Sequence, residues 1–376
     1  MGVLNSLRRF AAPAAAPILL NVGIIGAAYV ISPHCAAPIV GIAIGVLIGG
    51  ALQVALQIPW VVKEGLSLLP KWNPAHPALR RIGILMLPAI FGSAVYQVNQ
   101  FMGTLLASFL PEGSVSWLYY ADRLVQFPLG IFAIAISTAA LPSLSTEAAR
   151  KDLVRFQHTL NHALCLVFFI TLPSMAGLII LGKPIIQVLF ERGAFDADTS
   201  LMTEQALFYY TLGLWAFSGI RIMVSAFYAL QDTRTPVKVA VVALAVNLVL
   251  SLCLMGPLGH GGLALSLSVA SSVQFALLIV LLKKKGAIIR FKPVLISSGK
   301  SAMAALGMSL GVYGCLSTCL SADPETGLPL RIIYLAVLIM VGVVIYFGMA
   351  RLLGCNEIAS MMEAFSLRIR KTRRTG

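Results

Sequence analysis

The chain has 376 residues, of which 59% are hydrophobic and 11% are charged, and its mean hydropathy is +0.90. Soluble domains carry roughly 25% charged residues, so this composition excludes a soluble globular enzyme, a disordered tail and a nucleic-acid-binding module. The formal net charge of +14 comes from short basic clusters between long apolar runs. That pattern is typical of a membrane protein whose cationic loops face anionic lipid.

A membrane-spanning helix requires about 20 apolar residues, and about ten such runs follow one another along the chain. In chain order, the predicted spans are 12–31, 38–62, 82–109, 116–141, 160–181, 201–230, 236–255, 262–282, 295–316 and 330–353. A helix satisfies its backbone hydrogen bonds internally. The predicted fold class is therefore an all-α polytopic membrane protein with about ten transmembrane helices.

Basic residues are concentrated on one side of this predicted bundle. If the N-terminus lies in the cytoplasm, the inner side holds most of the Lys and Arg, including the basic tail after Leu367. The outer side then holds only Lys183, Arg192 and Arg331, beside several acidic residues. By the positive-inside rule, both termini are predicted to be cytoplasmic.

Composition also suggests how the chain is divided. The predicted parts are two helices in 1–62, a proline-containing cytoplasmic linker at 63–81, six helices in 82–285, two further helices in 286–353, and a basic cytoplasmic tail at 354–376. Two shorter helices outside the spans are also predicted. One is an interfacial helix at 184–190, and the other is an amphipathic helix at 146–158 on the inner surface.

Several polar and small residues within the spans are predicted to serve packing. Gly41, Gly45 and Gly49 recur every four residues, which favours close approach of two helices over a direct substrate role. Pro88, Pro128 and Pro173 interrupt spans and are predicted to kink them. Amide side chains within spans more often form interhelical hydrogen bonds than bind ligands; here these are Asn99, Gln100, Asn247 and Gln274.

The most informative residues are charges inside the membrane. An arginine at the centre of a spanning helix costs roughly 2.5–3.5 kcal/mol, so Arg123 is expected to face a wet cavity or a partner. Its neighbour Asp122 does not fully neutralise it, because adjacent residues on a helix point about 100° apart. Arg221 lies about 13 Å from the inner end of its helix. Snorkelling of its side chain to the interface therefore remains an alternative to a cavity role.

The sequence shows no pair of spanning carboxylates, no His cluster, no Gly-rich phosphate loop and no Ser-His-Asp set, so it predicts no catalytic residue, cofactor or metal site. Arginines without a catalytic pair suit the binding of an anion, because guanidinium matches phosphate geometry. Holding an anionic head group while its tail stays in lipid is the work of a flippase. The rival class is a membrane-embedded enzyme, such as a glycosyltransferase, using Glu191, Asp196 and Asp198. A solvated loop is the favoured interpretation of those residues.

Four motifs occur in order along most of the chain. They are GSVSWLYYADRLVQFP at 113–128, continuing to ALPSLS at 140–145, then LFERGAF at 189–195, FYALQDTRTPVK at 227–238 and GPLGHGGL at 256–263. Together they closely resemble the lipid II flippase family (MurJ, also called MviN). That family belongs to the multidrug/oligosaccharidyl-lipid/polysaccharide exporter superfamily.

The resemblance implies a transporter that flips undecaprenyl-pyrophosphate-linked peptidoglycan precursor (lipid II) from the cytoplasmic to the periplasmic leaflet of the bacterial inner membrane. Two helical lobes would give alternating access. Arg123 matches the family's essential cavity arginine, Asp122 lies beside it, and Gln126 stands where some members have Glu. With Arg221, these are the predicted substrate-binding residues. The last two helices correspond to a pair that forms a lipid-tail groove, and the implied partners are lipid II and membrane lipids, without nucleic acid.

The chain departs from the family pattern in two respects. The family has fourteen spanning helices, and this sequence resembles the fifth to fourteenth. We therefore expect a bundle lacking the first four or so helices, completed by a separate polypeptide or inactive as a fragment. Some members bind sodium through carboxylates in helices equivalent to 82–109, 236–255 and 262–282, which contain no Asp or Glu here. The alternative transport function is export of another undecaprenyl-linked glycan, because cavity arginines suit any pyrophosphate lipid.

Overall fold

The computed structural model describes residues 4, 11–65, 94–285, 291–319 and 327–358. Within these ranges all regular secondary structure is helical. The chain divides into two compact units, Met1–Ile84 and Leu85–Gly376. Seven of the described helices or continuous helix pairs are long and apolar enough to cross a membrane, and a bent helix pair makes an eighth. The all-α polytopic fold class is confirmed.

The first unit is a helical hairpin whose two arms are held together by glycines. It contains α1 (Ala11–Val30), a short 3-10 turn (Ser32–His34) and α2 (Pro38–Lys63). An added Cβ on Gly45 would lie 2.5 Å from the Cβ of Ala27, and one on Gly49 would lie 2.9 Å from the Cα of Leu20. Such contacts leave room only for glycine, which confirms that the small-residue stripe is a packing surface.

The described residues of the second unit form ten α-helical segments. They are α3 (94–107), α4 (Ser114–Pro128), α5 (Ile134–Ala149), α6 (Leu153–Phe190), α7 (Ala197–Thr211), α8 (Leu214–Ala229), α9 (Arg234–Leu258), α10 (His260–Lys284), α11 (Phe291–Cys319) and α12 (Leu328–Leu352). A single π-helical turn, Leu129–Ala133, joins α4 to α5, so that together they form one continuous span. Where the structure describes the predicted spans, each overlaps a single helix, except that 116–141 corresponds to α4 and α5 and 201–230 corresponds to α7 and α8. The first part of predicted span 82–109 lies outside the described residues, as does Pro88.

Two short helices predicted outside the spans are wrong. In place of a surface helix at 146–158, α5 runs to Ala149 and α6 starts at Leu153, where the Asp152 carboxylate accepts a hydrogen bond from the Arg155 backbone at 3.0 Å. In place of an interfacial helix at 184–190, α6 continues unbroken for 38 residues to Phe190. A proline removes one backbone hydrogen bond from a helix, and here packing against neighbouring helices keeps α6 continuous through Pro173 and Pro184.

The helix α6 lies at the centre of the packing in the second unit. It contacts α5, α7 and α8 on one side and α11 and α12 on the other. Fully buried side chains such as Phe156, Leu160 and Phe227 form the first core cluster. A second cluster forms where α11 and α12 pack on α6, and there the Tyr346 hydroxyl donates to the Phe169 carbonyl at 2.5 Å.

The predicted span 201–230 is not one straight helix, because α7 and α8 meet at a bend of 44°. At the break, the Gly213 N–H bonds to the Tyr210 carbonyl, and the Ser268 hydroxyl of α10 donates to the Tyr209 carbonyl at 2.7 Å. An added Cβ on Gly213 would lie 2.6 Å from the Ser268 Oγ and 2.8 Å from its Cα. A serine on a neighbouring helix thus satisfies a carbonyl that the break exposes, as broken helices in membranes require.

Candidate functional site

Three of the four predicted site residues lie together on α4. This helix starts after Gly113, whose φ of 98° lies in the left-handed region, and it buries Ala121, Leu124 and Val125 in the core. Burial of that face leaves Asp122 and Gln126 half-buried and Arg123 exposed on the remaining face. The packing of α4 against α7 and α10 therefore fixes where these polar groups emerge.

The polar groups on α4 are ordered by contacts one helical turn apart. The Gln126 amide donates to the Asp122 carboxylate at 3.5 Å, and the Arg123 guanidinium carbon lies 4.7 Å from the centre of the Tyr119 ring. Among the described residues, no carboxylate forms an ion pair with Arg123. Its charge is supported by an aromatic face and can still bind an anion.

An aromatic cluster anchors this part of α4. The Tyr120 ring lies 4.9 Å from Phe190 and 5.2 Å from Phe195, at the end of α6 and in the turn that follows it. Tyr119 in turn packs edge-on against Tyr120, with ring centres 5.8 Å apart. No role for these rings was predicted from the sequence. The four-residue spacing of Tyr119 and Arg123 on one helix could have indicated their contact, because residues four apart lie on the same helix face.

Arg221 lies on α8, after the helix break, and its side chain is exposed. The backbone carbonyl of Arg221 accepts a hydrogen bond from the Ser225 hydroxyl at 3.1 Å. Within the described residues, no hydrogen bond, ion pair or ring contact joins Arg221 to Asp122, Arg123 or Gln126. The structure thus groups three of the predicted site residues and leaves Arg221 apart from them.

The amides within the spans behave in two different ways. The Asn247 amide of α9 donates to the side-chain Oδ1 of Asn99 on α3 at 2.8 Å, which confirms an interhelical hydrogen bond. The exposed Gln100 amide instead donates to the Tyr96 hydroxyl of its own helix at 3.4 Å, and the described residues include no interhelical partner for it. The prediction for Gln274 stays untested.

The acidic residues at the turn between α6 and α7 have structural roles. The Asp196 carboxylate caps α7 by accepting from the Thr199 backbone at 2.8 Å, and this hydrogen bond lowers the pKa of Asp196. The Glu191 carboxylate accepts from the Ser200 hydroxyl at 2.7 Å and lies 4.0 Å from Arg331. Asp198 occupies the first turn of α7, where the helix dipole favours a negative charge. These roles account for the cluster without an acid–base pair.

Comparison with known proteins gives consistent matches. The family model described as lipid II flippase MurJ matches residues 1–323. The probable lipid II flippase MurJ of Vibrio cholerae is 37% identical over 352 residues, which cover 94% of this chain and 67% of that protein. The lipid II flippase MurJ of Burkholderia cenocepacia is 35% identical over 363 residues, covering 94% of this chain and 69% of that protein.

A solved structure agrees with these sequence matches. It is a lipid II flippase MurJ in an inward closed conformation, with a TM-score of 0.74 and 27% sequence identity. The match covers 93% of this chain and 69% of that one. This chain thus spans about two thirds of the length of the relatives that it matches. The names of these relatives mention no second polypeptide.

Proposed function

Because this chain belongs to the lipid II flippase MurJ family, we propose that it moves lipid II from the inner to the outer leaflet of the bacterial inner membrane. It acts as a transporter without covalent chemistry, and its termini face the cytoplasm because the basic clusters lie on their side. One observation carries the proposal. Arg123 lies within an apolar span, over an aromatic ring, with no carboxylate ion pair among the described residues.

Arg123 would hold the pyrophosphate of the substrate. A guanidinium can donate two parallel hydrogen bonds to phosphate oxygens, and such charge-assisted bonds are about twice as strong as neutral ones. Asp122 contacts Gln126 across one turn and forms no ion pair with Arg123 in the described part of the chain, so the guanidinium N–H groups are left for the anion. Because Tyr119 and Tyr120 fix this turn of α4, the charge is in place before the substrate arrives.

Transport also requires helices that can bend. The π turn Leu129–Ala133 and the break at 212–213 interrupt regular hydrogen bonding in the α4–α5 and α7–α8 spans. Such interruptions are the places where a spanning helix deforms at low cost. We propose that they bend as 82–285 alternates between inward and outward access. The apolar pair α11–α12 would accommodate the undecaprenyl tail.

Flipping of fluorescent lipid II by the purified chain in proteoliposomes tests the role of Arg123. We expect Arg123→Ala to abolish transport and Arg123→Lys to retain part of it, because lysine keeps the charge and loses the bidentate geometry. Arg234→Ala, at an exposed helix end, is the matched control. Transport by Arg123→Ala at the wild-type rate would show that this residue does not bind substrate. Loss of transport in Arg221→Ala would favour a cavity role over snorkelling.

A second transport function uses the same chemistry. The groups gathered on α4 recognise a phosphate anion and include no dedicated sugar-binding set, so another undecaprenyl-pyrophosphate glycan fits the same site. The same liposomes loaded with an O-antigen precursor distinguish the two functions. Faster externalisation of that lipid than of lipid II would favour the second. Absence of transport for both lipids would support an inactive fragment.

A further inference from the structure

A charged cavity lies where α5 and α6 are joined, away from the α4 site. It has a volume of about 310 Å³. Its polar lining consists of Ser143, Thr146, Glu147, Arg150, Asp152 and Arg155. The lining thus holds two acidic and two basic side chains, and the way these four are already partnered indicates what the cavity can bind.

Asp152 and Arg155, two of these four charged residues, already form an ion pair with each other. The Asp152 carboxylate caps α6 and lies 3.4 Å from the Arg155 Nε. The Glu147 Oε1 accepts from the Thr159 hydroxyl at 2.8 Å, whereas its Oε2 is buried and has no hydrogen-bond partner in the described part of the chain. Arg150 is exposed and forms no ion pair among the described residues. One carboxylate oxygen and one guanidinium therefore lack a partner among the described residues.

The cavity lies beside the predicted end of a membrane span. Thr159, which contacts Glu147, directly precedes the apolar run 160–181 of α6, so the sequence places the cavity next to the predicted edge of the hydrocarbon region. Next to the cavity, Leu153 and Val154 expose 44% and 78% of their surface. Exposed apolar side chains beside arginines are typical of a surface that rests in the membrane interface.

We infer that this cavity binds the head group of a zwitterionic phospholipid with a primary ammonium, namely phosphatidylethanolamine. The ammonium donates to the free Glu147 Oε2, and the phosphate accepts from Arg150 and from the remaining N–H groups of Arg155. Phosphatidylcholine has no N–H to donate, and phosphatidylglycerol has no cation to pair with Glu147. Because the cavity is separate from the α4 site, this inference does not rest on the proposed transport function.

Lipid binding to the delipidated full chain, followed by native mass spectrometry, tests the assignment. The probes are dioleoyl phosphatidylethanolamine, phosphatidylcholine and phosphatidylglycerol at equal concentrations. A hydrogen bond to a charged group is worth enough for a roughly tenfold preference, so we expect phosphatidylethanolamine to bind about tenfold more tightly than the other two. Glu147→Gln should remove that preference, and Arg150→Gln should weaken binding of all three lipids, because each carries a phosphate. Lys238→Gln, an exposed cation of α9, should leave both the affinity and the preference unchanged.

The possible outcomes separate clearly. Equal retention of phosphatidylethanolamine and phosphatidylcholine would overturn the role of the ammonium group. Preference for phosphatidylglycerol would identify an anion site and overturn the zwitterion assignment. If Glu147→Gln does not fold, Arg150→Gln decides, because Arg150 is exposed and its substitution leaves the helix contacts intact. Unchanged affinity for all three lipids in Arg150→Gln would contradict the proposal.

Discussion

The guanidinium carbon of Arg123 lies 4.7 Å from the centre of the Tyr119 ring, one turn earlier on the same helix. Tyr119 also packs against Tyr120, whose ring contacts Phe190 at the end of α6. The position of the charge is therefore set by a row of aromatic rings. A ring under a guanidinium is worth about 0.5 to 2 kcal/mol, depending on how well the pair is shielded from water.

Removal of the Tyr119 ring should weaken substrate binding. We expect Tyr119→Ala to raise the half-saturating concentration of lipid II severalfold, because the cation–π contact contributes about 0.5 to 2 kcal/mol to holding Arg123 in place. Tyr119→Phe should behave like the wild type, since it keeps the aromatic face. The measurement is the concentration dependence of flipping in proteoliposomes. Equal half-saturation for the Ala and Phe variants would rule out this positioning role.

The hydrogen bond between Asn247 and Asn99 should stabilise the contact between α9 and α3. Hydrogen bonds between membrane helices contribute about 0.6 kcal/mol on average and up to about 1.7 kcal/mol. We expect Asn247→Leu and Asn99→Leu to lower the unfolding free energy non-additively in a double-mutant cycle, measured by titration with a denaturing detergent. Gln100→Leu should have little effect, because its amide contacts only its own helix among the described residues. A coupling energy of zero would refute the interhelical bond.

Gly213 should not tolerate a side chain. We expect Gly213→Ala to lower the unfolding free energy by about 1–3 kcal/mol, the usual cost of overpacking. Removal of the hydroxyl in a Gly213→Ala, Ser268→Ala double variant should not restore stability, since the new Cβ would still lie 2.8 Å from the Ser268 Cα.

Thermal unfolding of the detergent-solubilised chain measures both Gly213 variants. Gly177→Ala on α6 is the control, because an added Cβ there meets open space. A wild-type midpoint for Gly213→Ala would mean that the bend at 212–213 leaves more room than the structure shows.

Asp232, in the turn between α8 and α9, should make the free energy of unfolding depend on pH. Partial burial alone would raise its pKa, but hydrogen bonds from Lys285 and Thr235 outweigh this effect and lower the pKa to about 2. A carboxylate with a depressed pKa stabilises the folded state above its unfolded pKa. This contribution is lost as the pH falls through the folded value.

The expected contribution of Asp232 is about 2 kcal/mol at most, because Lys285 is partly exposed to screening solvent. Asp232→Asn should lower the unfolding free energy by this amount near neutral pH. The difference from wild type should shrink between pH 4 and pH 2. Asp198→Asn, an exposed carboxylate, serves as the control. A difference that stays constant across this range would show that the carboxylate charge is not responsible.

The spans could be predicted because crossing a bilayer requires a run of apolar residues that sequence displays directly. The bend at 212–213 could not, since the run 201–230 has no proline and the hydroxyl that satisfies the break lies on α10, 59 residues later than Tyr209. The continuity of α6 was missed for the opposite reason. The apolar run ends at 181, so a separate interfacial helix at 184–190 was predicted, whereas contacts with other helices keep α6 continuous to Phe190.

The site was predictable to a similar extent. An arginine in an apolar span is costly to insert into a membrane, so the sequence alone marks Arg123 as a candidate functional residue. Asp122 and Gln126 lie within one turn of it. The anchoring of Tyr120 by Phe190 was not predictable, because 70 positions of chain separate them and only the packed helices bring them together. Arg221 remains a prediction, because neither its spacing along α8 nor its exposed side chain identifies a partner.

The π turn Leu129–Ala133 has a consequence for comparing sequences of this family. A π turn accommodates one residue more than an α turn, and each residue advances a helix by about 100°. A helical wheel drawn from Ser114 to Ala149 without a break would therefore assign the residues after Ala133 to the wrong face. A relative that lacks the π turn should align with a one-residue gap there, and an alignment without that gap would pair lipid-facing positions with interior ones.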